Sequence, residues 1–207
     1  MDKTIVDLIV KKVLEQLQAE DRRILVEASG RHVHLSKEDA IKLFGTDDLT
    51  PVKELSQPGQ FLCKEKVRVI GPKGDFKDVA VLGPCRGKTQ VELSMTDARA
   101  LGVAAIVRDS GDTAGCPSVW IQGGNSMVEA PSSTIVASRH IHMTPEDASR
   151  FSVKDGDKVS VRVHGSRKLV FEDVLIRVNP RYALSMHIDY DEANAVGLNK
   201  EAYGEIL

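Results

Sequence analysis

Two stretches decide how this chain folds: His32-Val33-His34-Leu35-Ser36-Lys37-Glu38-Asp39-Ala40 and, 108 residues later, His140-Ile141-His142-Met143-Thr144-Pro145-Glu146-Asp147-Ala148. Their second part recurs twice more, as Glu92-Leu93-Ser94-Met95-Thr96-Asp97-Ala98 and His187-Ile188-Asp189-Tyr190-Asp191-Glu192-Ala193. Each copy runs from a residue able to ligate metal, through an apolar residue, to a helix-capping residue: Ser36, Ser94, Thr144 or Asp189. An acid follows the cap by three positions and alanine comes next, close to the signature of a capping box. Pro145 falls at the first helical position, where a missing N–H costs nothing. An apolar residue stands three after each alanine (Leu43, Leu101, Phe151, Val196). The pattern predicts four short helices, each entered from a strand.

Working outward, the four copies pair into two halves. Asp78–Ala98 aligns without gaps onto Asp173–Ala193 at an offset of 95, which places Arg86 opposite Arg181. The larger offset of 108 between His34 and His142 gives the first half 13 extra residues, expected in the loop-like stretch Gly45–Gly59. Strand-like runs fill the intervals: Ile24–Val26, Lys66–Ile70, Val79–Leu82, Ala104–Val107, Val119–Gln122, Lys158–Val163 and Leu169–Val178. Gly, Pro and Asp interrupt them at short spacing, which favours small barrels over a doubly wound sheet. The expected fold is mainly β: two duplicated small barrel domains, over residues 22–130 and 131–207, capped by short helices and preceded by an N-terminal amphipathic helix within residues 1–21.

Residues i and i+2 of a strand face the same side, so each His-x-His presents two imidazoles together, half of a tetrahedral site. The duplication supplies the third ligand. One site is then His32, His34 and Glu92, and the other His140, His142 and His187. Three protein ligands with one open position is the catalytic pattern for zinc; cobalt, nickel or iron also suits such donors. Five of the six histidines are used in this way, and the sixth, His164, reads as a solvated surface residue. Arg86 follows Gly83-Pro84 near a strand end, where a guanidinium can grip phosphate or carboxylate bidentately; an isolated arginine there is also an ordinary surface charge.

The composition excludes several classes. A net charge of −2 and 4% aromatic residues give neither the basic field nor the stacking platforms that nucleic acid calls for. Cys63, Cys85 and Cys116 form no C-x-x-C pair and no even framework, as in a reducing cytosol. No apolar run is long enough for a membrane span. Residues 2–18 predict an amphipathic helix, with Val6, Ile9, Val10, Val13, Leu14 and Leu17 on one stripe and Asp7, Lys11 and Glu15 opposite. Such a helix docks on its own core or on a dimer partner, or serves as an addressing tag.

The stretches Ala28–Ser36, Val81–Ser94, Ala137–Asp147 and Met186–Asp189 make the chain, over residues 24–207, resemble the phosphate propanoyltransferases of the propanediol-utilisation type, phosphotransacylases of bacterial microcompartments. The resemblance implies two neighbouring zinc ions in a cleft between two β-barrels, on the same six residues, with Arg86 as the phosphate contact. It implies exchange of an acyl group, propanoyl in the family, between CoA and inorganic phosphate. It also implies that residues 2–18 address the enzyme to shell or core proteins of a microcompartment within the cytoplasm. A homodimer is compatible with the sequence.

Two rivals fit parts of the pattern. A duplicated cupin-like dioxygenase or isomerase would use Glu38 and Glu146 as ligands, four residues after each His-x-His. A metal-stabilised adaptor would close each ion with four protein ligands.

Overall fold

The computed structural model describes Lys12 and residues 22–207; the helix expected over 2–18 otherwise lies outside the described residues. Two strand sets carry the fold. One is a closed barrel in the spatial order β1 (Ile24–Ser29), β14 (Ser185–Asp189), β11 (His140–Met143), β13 (Leu169–Val178), β12 (Lys158–Val163), β15 (Tyr203–Ile206). The other is an open nine-stranded sheet. Its order is β7 (Val107–Arg108), β10 (Thr134–Ala137), β6 (Gln90–Glu92), β2 (His32–His34), β5 (Asp75–Gly83), β4 (Phe61–Ile70), β8 (Val119–Gly123), β9 (Ser126–Ala130), with β3 (Pro51–Glu54) on β4.

The sets are not contiguous in the chain. β1 sits in the barrel, parallel to β14, although every other barrel strand lies beyond residue 139. β10 makes the reciprocal move and lies parallel to β6 and β7 in the open sheet. The barrel and the open sheet thus each take one strand, β1 or β10, from the part of the chain that builds the other. The exchange is symmetric: Glu27 pairs with His187, and Ile135 with Glu92, each five residues before its own His-x-His.

Strand alternation builds the two cores. On β11, on β2 and at the residue that follows it, Ile141, Met143, Val33 and Leu35 are fully buried in the hydrophobic cores, while the histidines between them face the other way. Burying one such aliphatic side chain contributes about 1.5–3 kcal/mol. The duplication reaches the backbone: Asp78 and Asp173 both take positive φ, 55° and 53°. Each is the extra residue where the β4–β5 or β12–β13 register shifts, a bulge conformation that Asp tolerates better than most residues.

The four expected helices are present: α1 (Lys37–Phe44), α2 (Met95–Leu101), α3 (Pro145–Phe151) and α4 (Tyr190–Val196). Ser36, Ser94, Thr144 and Asp189 are their N-caps, and α2, α3 and α4 have complete capping boxes. In α1 the box closes through an intermediary. Thr89 Oγ1 accepts from the Ser36 N–H at 2.9 Å and donates to Asp39 at 2.5 Å. The alanines and the apolar residues three beyond them are buried in every copy.

Two expectations change. The stretch 45–59 contains a strand, β3, whose four residues are all exposed; as an edge strand it buries no apolar face, so it leaves no alternating pattern to read. Ala104–Val107 is strand only from Val107, because the chain first has to complete the C-cap of α2 at Gly102, with Val103 N–H bonding Ala98 O.

Candidate metal centre

The register places the six expected ligands. Antiparallel pairing sets His32 opposite Glu92 on β2–β6, and His140 opposite His187 on β11–β14. Within each trio one ligand atom per residue lies within 4.8 Å of the others. His32 Nε2 is 3.2 Å from His34 Nε2 and 3.6 Å from Glu92, and His34 Nε2 is 3.9 Å from Glu92. His140 and His142 approach at 3.1 Å. A tetrahedral ion with bonds of ~2.0–2.1 Å has ligand edges of roughly 3.3 Å, which the first trio approaches and the His140–His142 pair matches.

The protonation pattern fits as well. His32 Nδ1 lies 2.8 Å from Gly30 O, and His140 Nδ1 2.7 Å from Ser138 O. A carbonyl only accepts, so Nδ1 carries the proton in both rings and Nε2 turns a lone pair to the centre. Two facing Nε2 lone pairs repel unless a proton or cation lies between them. Burial holds His34 well below the usual imidazole range, helped by the charges of His32 and Arg86. It likewise brings His140 to about 4, and His142 to about 2 with added repulsion from His140 and His187. Burial pushes the Glu92 carboxyl up, but His32, His34 and a hydrogen bond from Ser110 outweigh it and hold it at about 2. The donors gathered here, one carboxylate and five imidazoles, are those that a zinc-type ion takes.

Both trios line one cleft of about 620 Å³ between the strand sets, and Arg86 joins them there. The Arg86 N–H bonds Leu35 O at 2.8 Å, and its Nη1 reaches Ser110 Oγ at 3.2 Å. It forms no ion pair among the described residues, and burial lowers its pKa. Arg181, its counterpart by alignment, is exposed. The second half turns two residues earlier, since Asn179 rather than Arg181 donates its N–H to Met143 O, the position equivalent to Leu35. Arg177, opposite His142 on β13, supplies the second half's cation to the cleft instead.

Several neighbours escaped the sequence reading. Gln90 Nε2 donates to Glu92 at 2.6 Å, and Ser110 Oγ donates to the same oxygen at 3.0 Å. Tyr182 packs edge-on against His142, with centroids 4.3 Å apart. Gln57, from the extra residues of the first half, crosses the cleft and donates to Ala183 O and Ser185 Oγ, both at 2.8 Å. Glu27 lies 3.4 Å from His187 Nε2, and its carboxyl is lowered foremost by His187, against burial. Gln90 and Ser185 precede the third ligands by two, which strand alternation could have flagged; Ser110 and Gln57 come from loops without periodicity.

Glu38 and Glu146 are exposed in the first turns of α1 and α3, and Glu38 pairs with Lys42 at 2.6 Å. Neither lines the cleft, which removes the cupin ligand pattern. His164 is less exposed than expected: it stacks on Tyr203 at 4.4 Å and pairs with Glu205 at 3.2 Å. No helix among the described residues is long and apolar enough to cross a membrane.

The chain is similar to known proteins over nearly its whole length. A family model described as phosphate propanoyltransferase matches residues 25–199. The phosphate propanoyltransferase of Sebaldella termitidis is 55% identical over 208 residues, covering 100% of this chain and 99% of that one. That of Enterococcus faecalis is 54% identical over 201 residues, covering 96% and 95%. That of Thermotoga maritima is 53% identical over 199, covering 94% and 95%.

Proposed function

This chain belongs to the phosphate propanoyltransferase family, and on that premise we propose that its cleft is a two-zinc centre moving a short acyl group, propanoyl foremost, between CoA and inorganic phosphate. The observation that carries the reading is the pair of ligand trios on one cleft with a half-buried guanidinium, Arg86, that has no carboxylate partner among the described residues.

His32, His34 and Glu92 would hold one ion, and His140, His142 and His187 the other. When bound, such ions supply Lewis acidity toward a thioester carbonyl and affinity for a thiolate. The chain does the rest. Arg86 binds the incoming phosphate and offsets its charge, and Ser110, bonded to both Arg86 and Glu92, fixes its approach relative to the first trio. Arg177 adds positive charge on the facing wall. Gln57 and Tyr182 narrow the cleft beside the second trio and keep bulk water from competing with phosphate. With the Ser110 hydroxyl held by Glu92, Arg86 and Gln90, phosphate attacks the thioester directly: the P–O–C(acyl) bond forms, the C–S bond breaks, and CoA leaves as thiolate.

Phosphate-dependent release of CoA thiol from acetyl-, propanoyl- and butanoyl-CoA tests this, with metal content measured on the wild type and on His140→Ala. Turnover highest with propanoyl-CoA, collapsing in the variant with loss of about one ion per chain, supports the reading. Absence of turnover from a chain carrying two ions rejects it.

Residues 2–18 are proposed to dock on microcompartment proteins; the support is the apolar stripe in the sequence. Removing them should leave turnover intact and abolish co-sedimentation with shells, and unchanged co-sedimentation refutes the tag. Residues 22–130 and 131–207 are proposed as the two units of the duplication, each having passed its first strand to the other.

A further inference from the structure

The two trios differ in one chemical respect: the first contains a carboxylate and the second does not. Three neutral imidazoles leave the charge of a divalent ion uncompensated. The first trio has Glu92 among its ligands, buried and ionised. Beside the second trio the strand exchange brings another carboxylate. β1 lies parallel to β14 with Glu27 directly opposite His187, and Glu27 Oε2 is 3.4 Å from His187 Nε2. That oxygen is buried and completes no hydrogen bond. An unsatisfied buried carboxylate oxygen is costly unless a positive group faces it.

The arrangement is not inherited from the repeat. The residue in the equivalent place in the first half, five before its histidine pair and opposite Glu92, is Ile135, which is fully buried. Each half therefore has one acid at its trio: Glu92 as an inner residue of the first, Glu27 on the neighbouring strand of the second. A second group meets the same ring nitrogen. Ser185 Oγ stands 3.2 Å from the same Nε2, and Gln57 fastens Ser185 while bracketing Ala183 through both its carbonyl and its amide.

We propose that Glu27 belongs to the second metal centre, where it holds His187 in place from the exchanged strand and supplies the negative charge that the three imidazoles lack. Glu27 is a positioning residue in this role, and the inference rests on the two-ion reading above. Outer-shell partners of a metal's ligands are worth about 10–100-fold in metal affinity.

The test follows release of zinc from the loaded, full-length protein to a colorimetric chelator. Wild type, Glu27→Gln and Glu27→Asp are compared, each also in a His34→Ala background that keeps only the second ion. Glu27→Gln should release the second ion about 10–100 times faster, Glu27→Asp should fall between, and the first ion should leave at its wild-type rate. Release of the second ion from Glu27→Gln at the wild-type rate overturns the proposal. So does a chelated Glu27→Gln protein that melts well below chelated wild type, because the effect would then lie in the barrel and not in the centre. If wild type and His140→Ala bind the same number of ions, the two-ion reading itself fails, an outcome distinct from either of these.

Discussion

The two halves share a repeat, yet one closes and the other does not. In the second half β15 bonds to both β1 and β12, and the barrel is complete. Its counterpart in the first half is β7, which bonds to β10 but is only two residues long. The edge of β4 that it would have to meet is taken by the hairpin β8–β9, with Arg68, Val69 and Ile70 paired to Gln122, Ile121 and Trp120. A strand edge can be satisfied by its own repeat or by an insertion, and the backbone hydrogen bonds are equivalent either way. Closure is thus a matter of which segment reaches the edge. The sites follow the same rule, since common ligand positions are finished by different neighbours: Arg86, Ser110 and Gln90 around the first trio, Arg177, Tyr182, Gln57 and Glu27 around the second.

The sharpest break in the symmetry is at the paired arginines. Arg86→Ala should lower kcat/KM by about 10²–10³-fold, the usual cost of removing one preorganised charge contact, while Arg181→Ala should stay within about twofold. Equal losses in steady-state assays would mean that the shifted turn at Asn179 does not separate their roles. Next come the equivalent core positions. Ile141→Ala in the closed barrel should cost about 2–5 kcal/mol and Val33→Ala less, because fewer buried atoms leave; urea denaturation reads both.

Acid should weaken both halves, because burial holds His34 in the first trio below the usual imidazole range as it does His140 in the second. Burial holds His140 near 4, whereas an unfolded imidazole titrates at about 6.5. Below that value the unfolded chain of the metal-free protein takes up protons that the folded one refuses. Stability should therefore be level above pH 6.5 and fall as pH drops toward 4. Glu92, held at about 2, adds a second loss only below about 4.5, where an unfolded carboxylate begins to protonate. A urea midpoint flat from pH 7 to 5 would contradict this.

Smaller effects sit at the helix ends. Thr144→Ala removes a direct capping box and should cost about 1 kcal/mol. Thr89→Val, which breaks the relayed box of α1, should cost about as much if the relay replaces the direct contact. Three helices end on a left-handed glycine, and α3 ends on Ser152 at φ 58°. Ser152→Gly should stabilise the second half by about 0.5–1 kcal/mol, visible as a small rise in melting temperature.

Much of this was legible in residue order, because both periodicities are local. The His-x-His pairs, the four caps, the buried alanines and the offset of 95 follow from side-chain chemistry at fixed spacing. So did the grouping of ligands into trios, since a duplication that repeats His34 as His142 repeats their partners as well. The 13 extra residues were visible as a surplus, but not as β3 followed by Gln57 reaching across to Ser185. Arg181 was aligned correctly and still stands outside the cleft, because a two-residue difference in where a strand turns leaves no mark in composition.

By itself, then, the sequence determined most of the repeat's strands, the caps and the candidate ligand residues, which depend on neighbours a few positions away. Only the tertiary structure decided that β1 and β10 change places, that one half closes while the other stays open, and that Glu27 and Gln57 meet His187 and Ser185. Those outcomes turn on which of several chemically equivalent edges a strand pairs with. Backbone N–H and C=O groups are alike at every residue, so only the packing of the whole chain selects among them.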